Sequence, residues 1–204
     1  MTLIMGLVFV WFILVILLSK WIRKFNLYLY GFCIAIAAVL FTQETNIVNM
    51  GYVGLSFFIL VMFASTLSQG TIRKKLMGNR AELAVMGSIF SLSHGLKYLI
   101  FAFDFSFFWR APIYFYIGIA SVIVMLPLAI TSIMIIRKKM KGKDWKKLHK
   151  LSYLFYGLVA THLLLINNER FLFYVILFGL YVIYRLLALI HKQPVKPKEK
   201  VKIA

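Results

Sequence analysis

Seven long apolar stretches, at about 2–19, 27–43, 52–69, 82–103, 112–136, 150–166 and 171–190, take up most of this 204-residue chain and leave only short polar segments between them. A helix of roughly 20 residues crosses a hydrocarbon core about 30 Å thick. Lipid offers no partner to unpaired backbone groups, so spans this continuous in hydropathy fold as helices and not as the alternating strands of a barrel. Composition agrees, because 62% of the residues are hydrophobic and 15% are charged. A water-facing shell needs about 25% charged residues. The expected fold is therefore an all-α, polytopic membrane helix bundle with no room for a soluble catalytic domain.

The charge is one-sided, with 24 basic and 6 acidic side chains and a net charge of +18. In a soluble protein that excess would point to nucleic acid. Here twenty of the basic residues fall in four segments: Lys20–Lys24, Arg73–Arg80, Arg137–Lys150 and the tail after His191. Seven alternating spans put all four on one side, which the bias of Lys and Arg toward the cytoplasm identifies as the inner face. The amino terminus is then outside and the tail cytoplasmic, in the cell membrane. No nucleic-acid partner is expected. The first span lacks a basic leader and reads as a retained helix, not a signal peptide. The tail, 191–204, reads as a disordered basic segment facing lipid headgroups. Cys33 is alone, so no disulfide or cysteine-ligated metal is expected.

Ionisable groups inside a bilayer are costly and commonly functional. His94 lies 12 residues beyond Glu82, where the fourth span enters, and His162 lies 12 beyond Lys150, where the sixth enters. Both are then about 18 Å deep from the same side. Two imidazoles at matching depth can ligate one porphyrin iron from opposite faces. Arg80, Ala84, Gly87, Ser91, His94 and Tyr98 share one helix face; its small residues suit either a flat macrocycle or close helix packing. His149 is 13 residues before His162, a rotation of about 220°, so it serves other neighbours: a second haem, a flavin, or headgroups. Lys97 is a candidate partner for a haem propionate or a snorkelling cation, and His191 reads as interfacial. Met86, Met125 and Met134 read as packing. Pro127 is expected to kink the fifth span, with Thr131 and Ser132 taking up carbonyls. There is no dinucleotide fingerprint, phosphate loop or nucleophile constellation. An ion- or proton-coupled transporter using the intramembrane His and Lys, and a nonredox scaffold, are the competing classes.

Arg80 and His94 at 14 residues' separation, then Leu126-Pro127-Leu128-Ala129-Ile130-Thr131-Ser132, then Trp145-Lys146-Lys147-Leu148-His149, then His162, resemble the ferric-reductase-like transmembrane domain family. The pattern is nearest to the haem-binding subunit of the bacterial protein-methionine-sulfoxide reductase system, and it covers about 27–190. The resemblance implies a six-helix core binding haem b, with residues 1–26 as an extra transmembrane helix. It implies that electrons pass from a cytoplasmic flavin reductase or flavoprotein to an acceptor outside, either a sulfoxide reductase partner or ferric or other metal ion. His94 and His162 match the family's axial ligands. Relatives that stack two haems carry two histidines on each of two helices, whereas this chain has Arg80 at the first such position. The level of Arg80, His149 and Trp145 is a candidate contact for a second haem or for FMN. Trp145 and the lysines of 137–150 would form the docking surface for the reduced flavin or flavoprotein.

Overall fold

The computed structural model describes residues 2–43, 47–102, 105–166 and 168–190, and all regular structure among them is helical. Each apolar stretch forms a helix: α1 (Thr2–Lys24), α2 (Asn26–Thr42), α3 (Ile47–Phe63), α5 (Arg80–Phe101), α7 (Ile113–Ile130), α10 (Leu151–Ile166) and α11 (Phe171–Ile190). The polar segments add short helices: α4 (Thr71–Gly78), α6 (Phe105–Arg110), α8 (Met134–Arg137) and α9 (Gly142–Leu148). Four helices are long and apolar enough to cross a membrane by themselves: Thr2–Lys24, Arg80–Ile100, Ile113–Ile130 and Phe171–Ala188. With α2 and Met50–Phe63 as shorter apolar helices, the chain is a multi-pass, all-α membrane protein.

The centre of the bundle is α3. From Phe57 to Met62 every residue is buried, whereas the outer helices leave large side chains such as Phe9, Phe32, Leu172 and Ile183 exposed, as a lipid-facing surface requires. The helix stops earlier than its apolar run predicts. The Ser65 and Thr66 hydroxyls bond the carbonyls of Met62 and Phe63, closing the last turn.

The first helix is built into this core. Trp11 stacks on Phe57 with ring centroids 4.5 Å apart and donates its indole N–H to Ser56. Ile4 and Val15 are fully buried. At Leu18 the helix leaves helical dihedrals (φ −109°, ψ 17°). Beside that bend Lys75 donates to the Ile16 carbonyl at 2.7 Å, and Asn79 donates to Ser19. The terminal basic segment thereby tucks under α4.

In α7, Pro127 does not end the helix, which continues to Ile130. Thr131 and Ser132 donate to the Pro127 and Leu128 carbonyls, so they serve the helix end and not the carbonyl that proline strips of its donor one turn earlier. Lys97, 6% exposed, donates to the carbonyls of Phe41 and Gln43 at 2.5 and 2.9 Å and lies over the Phe41 ring. Two of its three N–H groups thus cap α2, a helix C-terminus where positive charge is favoured. The tail from His191 lies outside the described residues.

Candidate functional site

His162 sits on α10 with its imidazole against α7. A Cβ added at Gly118 would come within 2.8 Å of the ring, so only glycine lets the ring lie there. Its Nδ1 is 2.8 Å from the Tyr114 carbonyl oxygen. A carbonyl can only accept, so Nδ1 carries the proton and Nε2 keeps its lone pair. A hydrogen bond of this kind orients an imidazole and raises its basicity toward a metal.

His94 sits on α5 against α3, where a Cβ at Gly51 would meet its ring at 3.1 Å. Tyr98, one turn outward, meets the ring edge-on at 4.9 Å. The depth of the two histidines can be read along α7. Gly95 approaches Val122, while His162 lies on Gly118, one turn away. The two imidazoles are at the same level to within a turn, as the sequence spacing predicts. α7 packs closely on both α5 and α10, which are not themselves among the closely packed helix pairs.

The small-residue face of α5 divides. Gly87 lies against Phe57 and the Gly54 carbonyl, and Ser91 meets Gly54, so this part is a helix contact with α3. Arg80, Ala84 and Ser88 instead line a cavity of about 330 Å³ in the half of the bundle that holds α4, α8 and α9. Its wall includes Arg137, His149, Tyr153 and Arg185, and does not reach His94 or His162. Met125 lines it as well, and Met86 is buried in the core.

His149 is held at the cavity mouth on two sides. Its ring stacks on Trp145 at 4.0 Å and 28°, and its Nε2 is 3.1 Å from Thr131 Oγ1. The Thr131 hydroxyl hydrogen is committed to Pro127 at 2.6 Å, so His149 Nε2–H is the donor. Arg137 lies 4.4 Å from the centroid of the Trp145 ring. Trp145 also donates its N–H to the Thr131 carbonyl. His149 and Arg137 thus both lie against the Trp145 ring. Burial first, and then the positive charges of Arg80 and Arg137, push the His149 pKa down to about 4.

Haem can be tested against these donors. At His94 and His162 the residues fit: one imidazole is oriented by a carbonyl with Nε2 unprotonated, and both lie in glycine-made recesses at one level on separate helices. At the inner level they do not fit a bis-histidine haem. Arg80 cannot lose its proton to ligate iron, and the Nε2 of His149 is used as a donor. Sequence reasoning missed Gly51, Gly118, Tyr114 and Arg185. The signal for the two glycines was their place within apolar helices, where glycine is unfavourable unless something must come close.

Residues 47–160 match the family described as ferric reductase like transmembrane component. An uncharacterized protein of Treponema pallidum (strain Nichols) is 36% identical over 114 residues, covering 53% of this chain and 32% of that protein. The magnetosome protein MamZ of Magnetospirillum gryphiswaldense is 26% identical over 121 residues, 56% of this chain and 18% of its own length. MamZ of Paramagnetospirillum magneticum is likewise 26% identical, with 19% of its length covered. The chain thus spans a third or less of these relatives. No solved structure matches.

Proposed function

This chain belongs to the family of ferric reductase like transmembrane components, and from that premise we propose that it is a haem b electron-transfer subunit of a membrane reductase. Its place would be the cell membrane, amino terminus outside. Electrons would come from a cytoplasmic flavin reductase or flavoprotein and leave to an acceptor outside, a partner subunit such as a sulfoxide reductase or a ferric or other metal ion. The observation that supports the reading is the His162 Nδ1–Tyr114 carbonyl bond at 2.8 Å, which leaves the Nε2 lone pair available to a metal.

Haem bound there would supply a one-electron couple. Each residue's part follows from its surroundings. Tyr114 fixes the tautomer and direction of His162, and a more basic imidazole lowers the iron potential. The cavity lined by Arg80, Arg137 and Arg185 gives the opposite end a positive potential, which favours approach of an anionic flavin or an acidic flavoprotein. FMN would enter there through its phosphate.

The test is a purified protein. It should be coloured, with a low-spin Soret band that shifts on dithionite. His94→Ala and His162→Ala should each lose most of the bound haem, whereas His149→Ala should keep the spectrum. Wild-type spectra from both ligand variants would overturn the assignment.

A further inference from the structure

The junction of α1 and α2 faces α8 across a groove of about 230 Å³. Arg23, Lys24 and Asn26 line it from the junction, and Lys138 lines it from the end of α8. All three cations are exposed, and no carboxylate is among the lining residues. Glu82 feels the charge of Arg23, but it is buried at 3% exposure and does not line the groove. The same groove has apolar walls, with Leu27 on the α2 side and Ile133 and Ile135 on the other; Leu27 and Ile135 are exposed. α8 packs closely on neither α1 nor α2.

The aromatic residues beside the groove place it at the membrane surface. Trp21, exposed at 60%, stacks on Phe25 with ring centroids 5.2 Å apart. Lys24 Nζ lies 5.8 and 5.2 Å from the centroids of these two rings. Tyr28, one turn past Lys24, is exposed as well. Exposed Trp and Tyr of a membrane protein gather at headgroup level. We propose that this groove holds one anionic phospholipid, its phosphate against Arg23, Lys24 and Lys138 and an acyl chain along Leu27 and Ile135. Guanidinium and ammonium groups donate charge-assisted hydrogen bonds to phosphate oxygens, and basic pockets between membrane helices suit such headgroups. The apolar walls select lipid over free phosphate, which would leave them uncovered. Bound there, the lipid ties the end of α1 to α8 and stabilises the bundle in proportion to its occupancy.

The experiment uses the full chain purified in a neutral detergent and three probes: dioleoylphosphatidylglycerol, dioleoylphosphatidylcholine and inorganic phosphate. Phosphatidylglycerol should raise the thermal midpoint by several degrees, and native mass spectrometry should retain one copy per chain. Phosphatidylcholine, whose headgroup has no net charge, and inorganic phosphate should do neither. Arg23→Gln/Lys138→Gln should need about tenfold or more phosphatidylglycerol for the same shift, since each cation near an anionic lipid is worth about fivefold. Lys143→Gln/Lys147→Gln, which removes the same charge from α9, should respond as wild type does. Equal responses to the two lipids, a response to inorganic phosphate alone, or equal losses in the two double variants overturns the proposal. The three wild-type titrations decide it even where a variant fails to fold. An unchanged lipid response in Arg23→Gln/Lys138→Gln, together with slower reduction by a flavin reductase with flavin, would assign the groove to the electron donor instead.

Discussion

Gly118 is a residue whose absent side chain is its contribution. A Cβ there would stand 2.8 Å from the His162 ring, nearer than real contacts allow, and the ring is already held from Nδ1 by Tyr114. Gly118→Ala should therefore push the imidazole off its line and lower the haem content of purified protein several-fold; Gly118→Val should nearly abolish it. Haem-to-protein ratios by pyridine haemochrome check this. The same local reasoning gives a pH prediction for His149. Its folded pKa of about 4 lies below the free value near 6.5, so the folded state holds it neutral. Between these values the unfolded chain binds the proton first, so this group's contribution is undiminished above about pH 6.5 and is lost as pH falls through about 4. Histidine NMR should show no titration of His149 between pH 8 and 5. Lowering pH from 7 to 5 should destabilise wild type more than His149→Gln.

At the scale of elements, the contact between α3 and α5 carries His94 and rests on small residues. Gly54 and Gly87 face each other so closely that a Cβ at Gly54 would meet Ser91 Oγ at 2.2 Å and one at Gly87 would meet Phe57 at 3.0 Å. Tight approach of this kind is what drives helix association in lipid, where burial from water drives nothing. Gly87→Leu should force the two helices apart and destabilise the bundle by about 1–3 kcal/mol, seen as a lower midpoint in a thermal aggregation assay in detergent. Haem loss should follow, because His94 moves with α5. Sequence periodicity put Gly87 and Ala84 on one face and left their use open between a macrocycle and a helix. The structure divides them, since Gly87 meets α3 and Ala84 lines the cavity.

Across the whole molecule, positive charge collects at one end. The lysines of α9 and its flanks, Lys141, Lys143, Lys146 and Lys147, are all exposed, and the cavity with Arg80, Arg137 and Arg185 lies behind them. Exposed charges steer an anionic partner and are screened by salt, while they do little to a buried haem. Neutralising all four lysines together should slow reduction by a flavin reductase with flavin, flatten its salt dependence, and leave the haem spectrum unchanged. Stopped-flow rates at low and high ionic strength measure it. An unchanged rate would assign the loop to lipid.

Fold class, helix positions and the matching depth of His94 and His162 were legible in the sequence. Hydropathy dictates spans because lipid forbids any alternative backbone, and a fixed rise per residue turns sequence distance into depth. What residues touch around a helix was not legible, because it depends on which neighbours the bundle brings alongside. Only the tertiary structure gave Lys97 to the end of α2, set His149 and Arg137 against the Trp145 ring, and set His149 Nε2 against Thr131. Each of these contacts joins side chain to partner across elements whose mutual rotation no local pattern encodes. Depth follows from counting along one helix, but facing needs at least two.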